Sequence, residues 1–297
     1  MTDARLPNTT LTHATTLRAM ALTVGAIFCF SIMDATVKAV SPEIGTLPAI
    51  WARYAGQMVL VIIIVSPRLS SVMKSEYLGL QILRSILLMA ATFFFFSGIA
   101  RITLAEASAV MNLNPIFITL GAALFLGERL GQRRLIAIGI ALVGAMIVIR
   151  PGTGAFTPAA LYPLAAAMCF AAYTLITRKV GHDEDVWTSL FYTGLVGSVV
   201  LSIAVPFAWV QPGPKEWLQM ALICGIGTCG QLLLIRALSL AQAGLLAPFN
   251  YLGLVFASIW GLVIFGDYPD ALTWLGGGII AAAGLYVWYR ERQARTR

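Results

Sequence analysis

The sequence predicts an all-α polytopic membrane protein in which ten transmembrane helices form two inverted five-helix repeats. The first observation behind this prediction is composition: 59% of the 297 residues are hydrophobic and only 11% are charged, whereas about a quarter of a soluble domain is charged. The second is a series of ten apolar runs, each close to the ~20 residues that cross a bilayer. The third is an internal repeat. Together they exclude a cytosolic enzyme, a disordered chain and a secreted disulfide scaffold.

Turn residues separate the ten predicted spans. Ser41-Pro42, Ser66-Pro67 and Pro151-Gly152 are typical of reversals between helices. The spans cover residues 18–40, 47–65, 78–99, 105–126, 134–150, 158–178, 186–207, 216–235, 244–265 and 271–289. The resulting domains are a tail at 1–17, a first five-helix repeat at 18–150, a second repeat at 158–289 and a tail at 290–297.

Basic residues predict the orientation. With the N-terminus in the cytoplasm, the outer side holds only Arg101, Arg150 and Lys215. The inner side holds Arg5, Arg18, Arg68, Lys74, Arg129, Arg133, Arg134, Arg178, Lys179, Arg236, Arg290, Arg292, Arg295 and Arg297. Short loops rich in Lys and Arg stay cytoplasmic, so both termini are predicted to be cytoplasmic. The net charge of +7 therefore reflects membrane topology and does not indicate nucleic acid as a partner.

The two halves of the chain match at an offset of about 136–140 residues. The run FCFSIMDATVKAV, which starts at Phe28, corresponds to MCFAAYTLITRKV from Met168, and IARITLAEAS from Ile99 corresponds to IRALSLAQAG from Ile235. Because each half has five spans, an odd number, the second half must enter the membrane in the opposite orientation. Such inverted repeats are typical of secondary transporters that alternate access to a central site.

The runs that close spans four and nine resemble those of the drug/metabolite transporter superfamily, in its EamA-type branch. They read LAEAS to LGE in the first repeat, and LAQAG, APFNY and FGDYP in the second. The resemblance covers essentially the whole chain, although Asp267 stands where Glu is usual and Leu254 stands where the first repeat has Pro115. It implies a bacterial inner-membrane exporter of amino acids, aromatic or neutral ones above all, without a cofactor. The same fold could move a nucleotide-like metabolite, a sugar derivative or a drug, including by import.

Charged residues within the spans are the first candidates for a substrate site. They are Asp34, Lys38, Arg53 and Arg84. A charge at the bilayer centre costs about 2.5–3.5 kcal/mol, so it faces a partner or a wet cavity. One interpretation is a polar, net positive cavity that favours a substrate carboxylate. The other is a structural ion pair of Asp34 with Lys38 or Arg53, while the arginines extend to lipid head groups; for Arg84 this second interpretation is favoured.

Amides and prolines of spans four and nine, together with one tyrosine, form the second group. They are Asn112, Asn114 and Pro115 in span four, and Pro248, Asn250 and Tyr251 in span nine. Proline interrupts a helix, and interrupted helices in corresponding halves are the best sequence indication of a transporter site. The alternative is ordinary helix–helix hydrogen bonding, worth about 0.6 kcal/mol per pair. Cavity lining is favoured for Asn112 and Asn250, with the prolines acting in gating.

Tyr54, Tyr173 and Gln231 complete the predicted cavity. Aromatic rings can stack on an apolar substrate side chain, although most aromatic residues of membrane proteins belong to the core or the interfacial belt. We expect a small-molecule substrate and the lipid bilayer as partners. Both repeats lie in one chain, so a monomer is sufficient and a dimer stays open.

Motifs for other functions lack their structural context. Gly225 to Gly230 matches a dinucleotide fingerprint but lies inside a span with no preceding strand. The run from His182 to Asp185 is expected to be a solvated charge run and not a metal site. No catalytic motif of the G-x-S-x-G or H-E-x-x-H type occurs, so no catalytic residue and no metal are expected.

Overall fold

A computed structural model describes residues 13–126, 132–150, 157–180, 184–241 and 246–295. All regular elements within these ranges are helical. Both tail ends, Glu128 and His182 lie outside the described residues. The helices are α1 (His13–Ile44), α2 (Thr46–Val65), α3 (Leu69–Val72), α4 (Leu78–Ile99), α5 (Leu104–Met111), α6 (Asn114–Leu126), α7 (Gln132–Ile149), α8 (Leu161–Val180), α9 (Val186–Ala204), α10 (Pro214–Leu240), α11 (Leu252–Trp260) and α12 (Ala271–Arg295).

The helices account for the ten predicted spans. Six segments are long and apolar enough to cross a bilayer, and they contain α1, α2, α4, α8, α9 and α10. Three shorter apolar segments, 135–149, 249–265 and 271–286, correspond to spans five, nine and ten. The fourth span is divided into α5 and α6. The all-α polytopic fold is therefore confirmed.

The ends of several helices differ from the predicted ones. The first helix continues through Ser41-Pro42 to Ile44, because a proline so close to the end disturbs only the last turn. Gly45 ends the helix instead: its φ of 81° lies in the left-handed region that glycine adopts without strain. Gly266, with a φ of 68°, stops the ninth span in the same way.

The fourth and ninth spans are both interrupted, as the prolines predict. Asn112 caps α5, and Pro115 is the second residue of α6. In the ninth span a 3-10 turn, Ala247–Tyr251, contains Pro248 and precedes α11, which continues as a π-helical turn, Gly261–Phe265. These breaks lie at corresponding places of the two repeats.

Contacts between the repeats dominate the packing. The most extensive helix pairs are α1 with α10, α4 with α8, α7 with α12, and α2 with α9, and each pair joins one helix from each half. Glycine allows the close approach of α7 and α12: a Cβ on Gly276 would lie 2.6 Å from the carbonyl oxygen of Gly144. The α7–α12 pair supplies no residue to the central cavity described below.

Candidate transport cavity

A cavity of about 150 Å³ lies between α1, α2, α4, α5, α6, α8 and the segment around α11. It is more than ten times the space of about 10–15 Å³ that a single water molecule needs, so it can admit a small metabolite. Five side chains singled out from the sequence line it: Asp34, Arg53, Asn112, Asn114 and Asn250. Most of the remaining wall is apolar or aromatic and includes Phe30, Met33, Phe95, Phe96, Met111 and Phe170.

Arg53 is held in place by a hydroxyl and by aromatic rings. Its side chain is 5% exposed, and Nη1 donates a hydrogen bond of 2.7 Å to Thr92 Oγ1. The guanidinium carbon lies 5.3 Å from the ring centroid of Tyr54 and 5.9 Å from that of Phe96, within the range of cation–π attraction. No carboxylate of the described residues forms an ion pair with it. The guanidinium is therefore positioned without being neutralised.

Among the described residues that line the cavity, Asp34 is the only acidic one. Within the described residues it forms neither a hydrogen bond nor an ion pair, so the expected pairs with Lys38 and with Arg53 are both absent. A charged group taken from water is stable only with a partner or with water. Its carboxylate is thus open to the cavity contents, and Arg53 is the nearest opposite charge in the same wall.

Lys38, predicted as a cavity residue, lies outside the cavity wall. Its Nζ lies 3.2 Å from Asp267 Oδ2, donates a hydrogen bond of 2.8 Å to the carbonyl of Ile102 and lies 5.2 Å from the ring centroid of Phe265. Lys38 lies one helical turn beyond Asp34, towards the end of α1. Its bonds to Asp267 and Ile102 connect α1 to the end of the ninth span and to the α4–α5 connection. Asp267 thus forms an ion pair at the end of the ninth span.

Arg84 is also outside the cavity, and it does not extend to lipid head groups. Its side chain is fully buried. It donates hydrogen bonds to Thr177 Oγ1 at 3.2 Å, to Gln81 Oε1 at 2.9 Å and to Tyr173 Oη at 3.3 Å. These partners lie on α4 and α8, so Arg84 connects the two repeats. Tyr173 is likewise fully buried and belongs to this network.

Glu184 completes the network around Arg84 and corrects the view of its loop as a solvated charge run. Its carboxylate accepts hydrogen bonds from Gln81 Nε2 and Ser75 Oγ, and one of 3.1 Å from the backbone N–H of Tyr77. Tyr77 directly precedes α4, where unpaired N–H groups favour an acidic partner. In the part of the loop that the structure describes, the Glu184 carboxylate is bonded in this way and Asp185 caps α9.

Three further predicted residues lie in the packing and not in the cavity wall. Tyr54 is fully buried and shares a hydrogen bond of 2.9 Å with Thr92. Tyr251 packs against α12, where its ring touches Gly284. Gln231 is 1% exposed on α10. Thr92 was missed from the sequence, although its spacing of eight residues from Arg84 places both on one face of α4.

The broken helices present three amides to the cavity. Asn112 and Asn114 are 5% and 4% exposed, and Asn250 lies in the turn before α11. None of the three side chains hydrogen-bonds to another described residue, and Asn112 Nδ2 and Asn114 Oδ1 are buried without a partner. Backbone bonds continue on both sides of the break, where Asn112 N–H donates to the carbonyl of Ser108 and Ile116 N–H donates to that of Leu113.

A two-repeat helical bundle in the membrane, with polar groups of interrupted helices around a central cavity, defines the class of small-molecule transporters. The EamA-like transporter family matches residues 17–150 and again residues 157–289. The chain belongs to this family, and the resemblance inferred from its motifs is confirmed.

Several relatives are named as transporters. A pseudopaline exporter of Pseudomonas aeruginosa is 28% identical over 88% of this chain and 93% of its own length. An S-adenosylmethionine uptake transporter of Rickettsia felis is 31% identical over 73% of this chain and 74% of its own. A riboflavin transporter of Rhizobium johnstonii is 32% identical over 76% of this chain and 75% of its own length. A solved crystal structure covers 93% of this chain and 98% of its own with a TM-score of 0.66 at 18% identity, which shows the fold alone.

Proposed function

We propose that this chain exports amino acids, aromatic and neutral ones above all, across a bacterial inner membrane by alternating access. The observation that carries the proposal is that Arg53 and Asp34 line one aromatic cavity without an ion-pair partner among the described residues. A zwitterion offers a carboxylate to Arg53 and an ammonium group to Asp34. Its apolar side chain then meets the phenylalanine rings of the wall, where aromatic stacking is favourable.

The charge balance of the cavity supports a zwitterion over a simple anion. One interpretation of the sequence placed four charged residues in one site with a net positive charge. Lys38 and Arg84 bond elsewhere, which leaves one guanidinium and one carboxylate in the wall. A substrate with both signs of charge matches this balance, and a carboxylate remains part of the proposed substrate.

The relatives support small-molecule transport and differ in cargo and direction. S-Adenosylmethionine contains an α-amino acid group, so the similarity to its uptake transporters favours a substrate of this kind. Export is supported by the similarity to the pseudopaline exporter. Alternating access is supported by the interrupted helices at corresponding places of the two repeats, which in transporters surround the substrate.

A second candidate is the uptake of a planar, nucleotide-like metabolite. Its specific support is the similarity to riboflavin transporters, together with the phenylalanine rings of the cavity, on which a flat heterocycle could stack. In this case Arg53 and Asp34 would bond to polar substituents of the heterocycle, and no α-amino acid group would be required.

The test is transport by the purified protein in liposomes, with a labelled panel of aromatic, branched and small neutral amino acids, with and without a pH gradient. We expect saturable transport that other neutral amino acids compete for. Efflux from preloaded cells then establishes the direction. If folded protein transports no amino acid, the proposal is wrong, and riboflavin and nucleotides are tested next.

Two substitutions assign the charged groups. Arg53→Gln should raise the KM for phenylalanine about tenfold or more, because a hydrogen bond to a charged group contributes about 1.5–3 kcal/mol and 1.4 kcal/mol is tenfold in affinity. It should leave inhibition by phenethylamine, which lacks the carboxylate, unchanged. Asp34→Asn should do the converse, weakening phenethylamine and sparing 3-phenylpropionate. The exposed residues Arg68 and Asp185 provide matched controls as Arg68→Gln and Asp185→Asn, which should have no effect.

A further inference from the structure

Two amide side chains of the broken fourth span, Asn112 and Asn114, line the cavity. Two structural roles are open to an amide beside a proline: bonding the carbonyls that the proline frees, or bonding a neighbouring helix. Asn112 and Asn114 do neither, since their side chains form no hydrogen bond within the described residues. The backbone hydrogen bonds at the break, from Leu113 N–H to Val110 and from Ile116 N–H to Leu113, are made without the two side chains.

An unpaired buried amide is costly. Leaving a buried donor or acceptor without a partner costs about 1–3 kcal/mol, and here Asn112 Nδ2 and Asn114 Oδ1 are both buried and unpaired. Asn112 Nδ2 is a donor and Asn114 Oδ1 is an acceptor, and both side chains line the cavity. A group that satisfies the two amides must therefore accept one hydrogen bond and donate another.

The amides and the charged pair come from different elements of the cavity wall. Asp34 and Arg53 come from α1 and α2, whereas Asn112 and Asn114 come from the break between α5 and α6. If the α-amino and carboxylate groups of a substrate occupy Asp34 and Arg53, its side chain extends towards another wall. Phenylalanine and methionine side chains of the wall surround the apolar part of such a substrate.

We propose that Asn112 and Asn114 recognise the polar end of the substrate's side chain. The cavity then prefers an amino acid whose side chain ends in a group that both donates and accepts hydrogen bonds, such as a phenol or a carboxamide, over the apolar analogue of the same shape. This proposal rests on the proposed transport of amino acids and specifies which of them the cavity selects. A site built to bond such a group discriminates against an analogue that lacks it.

Tyrosine and phenylalanine, which differ by one hydroxyl, form the test pair. Vmax/KM for each is measured with the full chain in liposomes. We expect wild-type protein to favour tyrosine about tenfold, and Asn112→Leu and Asn114→Leu each to bring the ratio close to one by lowering tyrosine transport more than phenylalanine transport. Gln219→Leu likewise replaces an amide with leucine, but on α10 outside the cavity wall. It should keep the wild-type ratio of tyrosine to phenylalanine transport.

Wild-type protein also gives a test that needs no variant. Unlabelled tyrosine should inhibit phenylalanine transport at a concentration about tenfold lower than 4-fluorophenylalanine, which keeps the size of the ring but cannot donate. Equal transport of tyrosine and phenylalanine by wild type, or an unchanged ratio in both leucine variants, would overturn the proposal while saturable phenylalanine transport upheld the amino-acid function. Failure of all amino-acid transport would instead overturn both.

Discussion

The Lys38–Asp267 ion pair should control access to the cavity from the predicted outer side. It joins α1 of the first repeat to the end of the ninth span in the second, one turn beyond Asp34. Lys38 also donates a hydrogen bond to Ile102 in the α4–α5 connection. Three segments must be close together for these bonds to form. A conformation open on this side therefore loses them, and Lys38→Met should favour that conformation.

The size of this effect follows from the geometry. Two unit charges 3.2 Å apart attract by about 5 kcal/mol at an effective dielectric constant of ~20, and desolvation offsets much of this. The side chains are 16% and 32% exposed, so the net value lies between about 0–1 kcal/mol for a surface pair and about 3–5 kcal/mol for breaking a buried one. A loss of about 2 kcal/mol changes the equilibrium between closed and open forms about 30-fold.

The assay is the rate at which a membrane-impermeant maleimide, added from outside, labels a cysteine in the cavity. Ser108→Cys supplies the target in the cavity wall, in a chain whose four native cysteines are replaced by alanine. Lys38→Met should accelerate labelling, and the reversed pair Lys38→Asp with Asp267→Lys should bring the rate back towards that of the parent. Arg68→Met is the control, because it removes the basic partner of an exposed ion pair in which Arg68 Nη1 lies 3.9 Å from Asp185 Oδ2. An unchanged labelling rate in Lys38→Met would refute the reasoning.

Three other substitutions test the supports of the cavity. Thr92→Val removes the acceptor that holds Arg53 and should raise the KM for amino acids about 3–10-fold at normal protein levels; an unchanged KM would mean that the guanidinium needs no such support. Gln81→Leu removes an acceptor of Arg84 and should destabilise the protein by about 2–4 kcal/mol, visible as a lower Tm in detergent; an equal Tm would contradict this. Gly276→Val places a side chain against the backbone of α7 and should cost about 1–3 kcal/mol, measured in the same way; wild-type stability would show that the helices can separate at no cost.

Much of the fold could be predicted from the sequence because hydropathy and loop charge act locally. An apolar run of sufficient length crosses the bilayer whatever its neighbours are, and the prolines at 115 and 248 interrupt their helices by removing a backbone donor. The helix ends were less predictable. Ser41-Pro42 is a turn signal, yet the first helix ends only where Gly45 takes a positive φ.

The partners of the charged side chains could not be predicted in the same way. Lys38 and Asp34 are four residues apart, a spacing that favours pairing on a helix, but Asp267 is closer to Lys38 in the folded chain. Which carboxylate pairs with Lys38 depends on how the two repeats pack together, and that packing depends on contacts across the whole bundle. Arg84 was expected near the head groups from its depth alone, and its bonds to Thr177 and Tyr173 depend on the same docking.

The four charged side chains within the spans fall into two groups that bear on the mechanism of transport. Lys38 and Arg84 each bond across the boundary between the repeats, one near the end of α1 and the other near the start of α4. In the predicted topology α1 and α4 cross the membrane in the same direction, so the end of α1 and the start of α4 lie at opposite ends of the bundle. Bonds that hold the repeats together at both ends cannot all persist if one repeat moves against the other. Among the described residues, Arg53 and Asp34 have no bond of this kind between the repeats. In the proposed mechanism Lys38 and Arg84 therefore set the conformation, and Arg53 and Asp34 contact the substrate.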